Sequence, residues 1–122
     1  MAVPLPTEIK LHQKSRILEI AFEDGSVFEL PCEYLRVYSP SAEVRGHGAD
    51  QGVLQVGKED VTITAIRPVG HYAIAPSFND GHDSGIYTWE LLYNLGRRQT
   101  ELWNEYLKKL EQAGYRRRAQ TR

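Results

Sequence analysis

Cysteine is nearly missing: Cys32 is the single one in 122 residues. A lone cysteine excludes an intrachain disulfide and any zinc site built from several cysteines of one chain, and it fits a reducing, cytoplasmic setting. Long apolar runs are missing too. Nowhere do eighteen apolar residues follow one another, and the opening Met1-Ala2-Val3-Pro4-Leu5-Pro6 has no basic segment leading into an apolar one. The expectation is a chain with neither a spanning helix nor a secretory leader. His12, His47 and His71 are scattered over separate predicted elements without HxH or HxxxH spacing, so a multi-histidine site would have to be assembled by the fold. Serine catalysis lacks its Gly-x-Ser-x-Gly elbow. Positive charge is scarce except at one end. Residues 1–114 carry 11 basic against 16 acidic groups, whereas Arg116, Arg117, Arg118 and Arg122 follow Gly114. An acidic body is a poor electrostatic footprint for nucleic acid, which rewards clustered Lys and Arg on a folded face. This division predicts a single domain over 1–114 and a flexible basic tail over 115–122.

What is present is a series of short alternating segments. Glu8–Gln13, Arg16–Phe22 and Val27–Leu30 alternate polar with apolar and are separated by Lys14-Ser15 and by the turn signal Asp24-Gly25, which predicts three antiparallel strands. Pro31 suits the first turn of a short helix through Tyr38, which Pro40 stops. Ser39–Gly52 has no apolar period and reads as a surface loop. Val53–Val56 reads as a short strand and Val61–Ile66 as a β-branched one, ending at Pro68-Val69-Gly70. His71–Phe78 alternates again, with Tyr72, Ile74 and Phe78 on one face and Pro76 implying an edge or a bulge. From Thr88 the spacing turns helical. Trp89, Leu92 and Tyr93 share a side before Gly96, which is expected to end or bend the helix. Trp103, Tyr106, Leu107 and Leu110 then stripe a second helix that Gly114 caps. The fold class is α+β: a mostly antiparallel sheet of about five to six strands, a short helix after the third strand, and C-terminal helices packed on the sheet.

The stretch from Phe78 to Trp89 organises the rest, because there a strand turns, returns and launches a helix. Asp80-Gly81 is a turn dipeptide, and Thr88 offers a hydroxyl to the free amides of the helix, with Glu90 in its first turn. Asp80, His82, Asp83 and Ser84 place two carboxylates, an imidazole and a hydroxyl within five residues, a set able to ligate a metal or move a proton. Turn chemistry also accounts for Asp, Gly and Ser here, with His82 packed on an aromatic neighbour. No complete catalytic set is evident.

Leu30-Pro31 and Tyr34-Leu35-Arg36 leading to Ser39-Pro40-Ser41-Ala42-Glu43-Val44, with Gly70-His71-Tyr72-Ala73 and Asp80 through Trp89, carry a family resemblance. The segment from about Ile9 to Leu95 resembles the gamma-butyrobetaine hydroxylase-like N-terminal domain family. Such domains occur alone in bacteria, in front of carnitine-pathway 2-oxoglutarate oxygenases, and at the end of some iron–sulfur-cluster carrier proteins. The resemblance implies a zinc module in the oxygenases, built from three cysteines and a histidine. Here only His82 matches. The cysteine places fall on Ser39, Ser41 and Val44, so a zinc of that kind is not expected, and Cys32 is wrongly placed to substitute.

The expected function is a non-enzymatic interaction or accessory module, linked to iron or iron–sulfur metabolism by resemblance alone. Arg36, Ser39, Ser41, Glu43, His47, His82 and Ser84 form the candidate interaction surface. Another protein is the expected partner, with self-association as the other option, and neither nucleic acid nor membrane. No cofactor is expected. The alternative is binding of iron, another metal or a small ligand at His82 with Asp80 or Asp83.

Overall fold

The computed structural model describes residues 3–41 and 54–117. Strands β1 (Pro6–His12), β2 (Ile17–Phe22) and β3 (Val27–Pro31) form an antiparallel meander in that order. Side chains alternate across a strand, so Leu18, Ile20 and Phe22 share one face of β2 and are buried. Asp24 closes the β2–β3 turn by accepting the Ser26 amide at 2.9 Å. Helix α1 (Cys32–Val37) follows directly. Strands β4 (Ile63–Val69), β5 (Ala73–Phe78) and β6 (Tyr87–Thr88) then build a second antiparallel sheet in the order β4-β5-β6. The six strands thus divide into two sheets of three, because α1 turns the chain away from the first sheet before the second begins. One apolar cluster joins them, with Leu18 and Ile20 from the first sheet, Ile63, Ile74 and Phe78 from the second, and Leu35 of α1 between.

Several local expectations shift for identifiable reasons. Leu54–Val56 forms no strand, and Val53 lies outside the described residues. Strand β4 runs on through Pro68, which an edge strand tolerates because its missing amide costs no ladder bond. Pro76 sits in the central strand instead of at an edge. It is tolerated there because β6 pairs only with Ala73 and Ile74, short of Pro76. Strand β5 is buried at Ala73, Ile74, Ala75 and Pro76 alike, so it is covered on both faces, while Tyr72 is left exposed.

Helices α2 (Trp89–Arg97) and α3 (Gln99–Gln112) complete the chain. Thr88 Oγ1 accepts the Leu91 amide at 3.0 Å, the expected cap. Helix α2 ends at Arg97, one residue past Gly96, close to the expected end, and the glycine has a further reason: a Cβ there would lie 2.3 Å from the Phe28 ring. Its absence lets the helix settle on β3. Beside that contact Phe22, Phe28 and Tyr93 meet edge to face, with centroids 5.1 to 5.9 Å apart. Trp89 is only half-buried and spends its indole N–H on the His71 carbonyl at 2.8 Å, so it seals the rim of the core.

At the C-terminus the amides of Gly114 and Tyr115 close α3 on the carbonyls of Glu111 and Leu110, each at 3.0 Å. Tyr115 and Arg117 then fold back onto the body, so the packed chain reaches Arg117, past the boundary expected at Gly114. Residues 118–122 lie outside the described residues. No helix among the described residues is long and apolar enough to cross a membrane.

Alanine is the better helix former by about 1 kcal/mol, yet Gly96→Ala is expected to destabilise the protein by about 1–3 kcal/mol through overpacking against Phe28. Urea denaturation reads this directly. A variant as stable as the parent would remove the close α2–β3 approach as a determinant of the fold.

Candidate functional site

Every residue of α1 is buried, including Glu33 and Arg36, each 7% exposed. Buried charges require partners, because desolvation costs several kcal/mol per ion. Arg36 finds its partner in the turn after β5: its Nε donates to Asp80 Oδ2 at 2.9 Å, and a terminal nitrogen donates to Gln55 Oε1 at 3.1 Å. Lys58 Nζ donates to the same Asp80 oxygen at 2.9 Å. The other oxygen, Oδ1, accepts the His82 amide at 3.2 Å. Burial pushes the Asp80 carboxyl pKa up, but the hydrogen bonds from Lys58, from the His82 amide and from Arg36, with the Arg36 charge, outweigh it and leave the pKa at about 2.

The turn itself swings His82 inward. Gly81 has φ +90°, a conformation open to glycine, and the Phe78 amide donates to the His82 carbonyl at 2.9 Å. The imidazole, in a residue 5% exposed, stands 6.1 Å from the Phe78 ring and brings Nε2 to 2.9 Å from Ser39 Oγ. Ser39 is wholly buried. Its Oγ accepts the Ser41 amide at 3.2 Å, and Ser41 Oγ shares a 2.7 Å hydrogen bond with Ser84 Oγ. Gly85 makes room for this knot, since a Cβ there would fall 2.5 Å from Ser39 Oγ. Beneath it the Tyr87 hydroxyl donates to the Leu35 carbonyl, and burial pushes its pKa up, keeping it a neutral donor.

The structure therefore brings together Arg36, Ser39, Ser41, Asp80, His82 and Ser84 from the candidate residues. A serine beside a histidine is the start of a nucleophile–base pair, but a nucleophile must meet substrate and Ser39 is inaccessible. The expected surface also changes its make-up. Arg36, Ser39, Ser41 and His82 lie buried beneath it, and Asp83 and Ser84 are exposed. Glu43, Val44 and His47 lie outside the described residues. Asp80 is engaged by two cations and an amide, and among the described residues no group of three or more His, Cys, Asp or Glu could hold a metal ion. Sequence reasoning missed Gln55 and Lys58, which sit on irregular chain without periodicity to single them out.

A two-sheet α+β domain with a buried serine–histidine knot between its first helix and the β5–β6 turn defines the class. The profile of the gamma-butyrobetaine hydroxylase-like, N-terminal family matches residues 9–93, and the chain belongs to that family. A protein solved by NMR is 52% identical, with TM-score 0.81, over 94% of this chain and 86% of that one. A second NMR structure is 44% identical, with TM-score 0.83, over 99% of this chain and 95% of that one. A crystal structure from Acidithiobacillus ferrooxidans ATCC 23270, of a protein with unknown function in the DUF971 family, is 38% identical with TM-score 0.66, covering 78% of this chain and 98% of that one. None of the curated proteins matches.

The Asp80 carboxyl is held below its unfolded value of about 3.9, so the stability it contributes is present above about pH 4 and is lost as pH falls toward 2. Its side chain is 26% exposed, which trims the expected loss to about 1–2 kcal/mol. In urea titrations the gap between the parent and Asp80→Asn should shrink by that amount from pH 6 to pH 2.5. A gap unchanged over this range would show that Asp80 is not held as an anion.

Proposed function

We propose that this chain is a non-enzymatic interaction module, an accessory domain that presents the surface over the His82 knot to a protein partner in the cytoplasm. The observation that supports this most is that the groups with chemical potential are paired within the chain, with Arg36, Ser39, Ser41 and His82 buried: Arg36 to Asp80, His82 to Ser39, Ser41 to Ser84. They set the shape of the corner. What a partner would meet is the outer layer, with Asp83, Ser84 and the exposed Ile86. The acidic balance of residues 1–114 argues for a protein partner over nucleic acid or an anionic membrane. The link to iron or iron–sulfur metabolism rests on the family resemblance alone. The DUF971 relative is itself a protein of unknown function.

Affinity purification from native cells tests the reading. A specific partner is expected, with recovery reduced at least about tenfold by Ile86→Asp, an exposed substitution that changes stability by no more than about 0.5 kcal/mol. Recovery of the protein alone under several growth conditions would reject it. So would stoichiometric metal in untagged protein that disappears in His82→Ala, which would instead favour metal binding at His82 with Asp80 or Asp83.

A further inference from the structure

At the other end of α1 from the His82 knot lies a cavity of about 730 Å³. Its acidic walls are Glu33 and Glu59, 7% and 4% exposed, the Trp103 indole forms a third side, and Lys14 and Arg16 also line it, with Arg16 donating to the Glu59 carbonyl at 3.3 Å and to Asp60 at 3.0 Å. Two buried carboxylates beside an aromatic face suit a flat cation, which can lie on the ring while donating hydrogen bonds in its own plane. Such a cation is in place. The guanidinium of Arg117 donates from Nε to Glu33 Oε2 at 2.9 Å and from a second nitrogen to Glu33 Oε1, with its carbon 5.2 Å from the Trp103 ring centroid. It arrives on a short arm beyond the end of α3, which Tyr115 also tethers by donating to Glu59 Oε2 at 2.7 Å.

We propose that this cavity is a guanidinium-recognition site, occupied in the free protein by Arg117 of the chain itself, and that an arginine on a partner polypeptide takes the place of the arm. The reasons are geometric. The fork of a guanidinium matches the two oxygens of Glu33, a fit that a lysine ammonium does not reproduce. The seated group belongs to an arm outside any helix or strand, and giving it up breaks no backbone ladder. The cavity is larger than the one side chain seated in it, and Ser15 and Lys14 of the β1–β2 turn line it as well. This site is separate from the His82 surface and does not depend on it.

The test uses N-acetyl-arginine amide, free arginine and N-acetyl-lysine amide as probes, followed by the NMR resonance of the Trp103 indole N–H. In full-length Arg117→Ala the arginine amide should give a saturable shift in the millimolar range, the lysine amide none, and the added Glu33→Gln should abolish the response. The parent should bind the same probe at least about tenfold more weakly, because its site is open only for the fraction of time that the arm is out. Binding of the blocked amide as tight as that of free arginine supports an arginine side chain, whereas a response confined to free arginine overturns the polypeptide assignment. No saturable shift in Arg117→Ala, or equal response to lysine amide, overturns the site altogether. If Arg117→Ala does not fold, Arg117→Gln carries the same measurements. Loss of the Ile86→Asp effect on partner recovery would leave this result unaffected, so the two readings fail separately.

Discussion

One constraint governs the arrangement of this domain: α1 is six residues long, is buried throughout, and carries one charge of each sign. Glu33 and Arg36 are three positions apart, which on a helix puts them on neighbouring sites of one face, yet each is neutralised by a group from far along the chain. Arg36 is answered by Asp80 in the turn after β5, and Glu33 by Arg117 beyond α3. Removing one member of a buried pair strands the other at a cost of about 3–5 kcal/mol. The helix therefore acts as a pin that the second sheet and the C-terminal arm must both reach, and the two sheets are held to each other through it.

The same helix is too short to satisfy its own backbone. Its last carbonyls have no intrahelical partner, and at the end of α2 the problem recurs. Tyrosines solve it. Tyr87 donates to the Leu35 carbonyl, and Tyr34 donates to the Leu95 carbonyl at 2.7 Å. Each phenol buries a large apolar ring and delivers its hydroxyl where a helix end would otherwise be left bare. Burial pushes both phenols' pKa values up, so they remain neutral donors across the physiological range. The His82 knot is thus built on a floor of satisfied backbone, which is why its small hydroxyl groups can keep fixed partners.

Much of this was legible in the sequence where the signal is local. The Asp80-Gly81 turn, the Thr88 cap, the meander of the first three strands and the closure at Gly114 each depend on a few adjacent residues. What was not legible depends on residues far apart. Periodicity could assign Trp89 to a helix, but not its place at the rim, which follows from the His71 carbonyl being within reach. Gly96 can be read as a helix end from the sequence, but not as the place where the Phe28 ring lies against the helix. Pro76 argues against a central strand unless β6 is known to stop short. Arg117 looks like one more charge in a basic tail, because nothing in the sequence marks Glu33 as buried. The meeting of Ser39 with His82 was reachable only through the family resemblance, which aligned the two segments.

That resemblance also gives the chemistry of the knot its meaning. Thiolates at positions 39 and 41 would repel one another without a cation between them and would leave the imidazole as a ligand. Hydroxyls behave differently, since each is both donor and acceptor. Ser39 takes the Ser41 amide and shares a hydrogen bond with His82, while Ser41 is joined to Ser84. The corner, where the resemblance implies a metal in other members, is closed in this chain by hydrogen bonds among its own side chains, and Gly85 keeps it tight by offering no side chain to the space that Ser39 fills. The consequence is a corner whose shape is set from beneath, by side chains that hold one another across two separate segments of the chain.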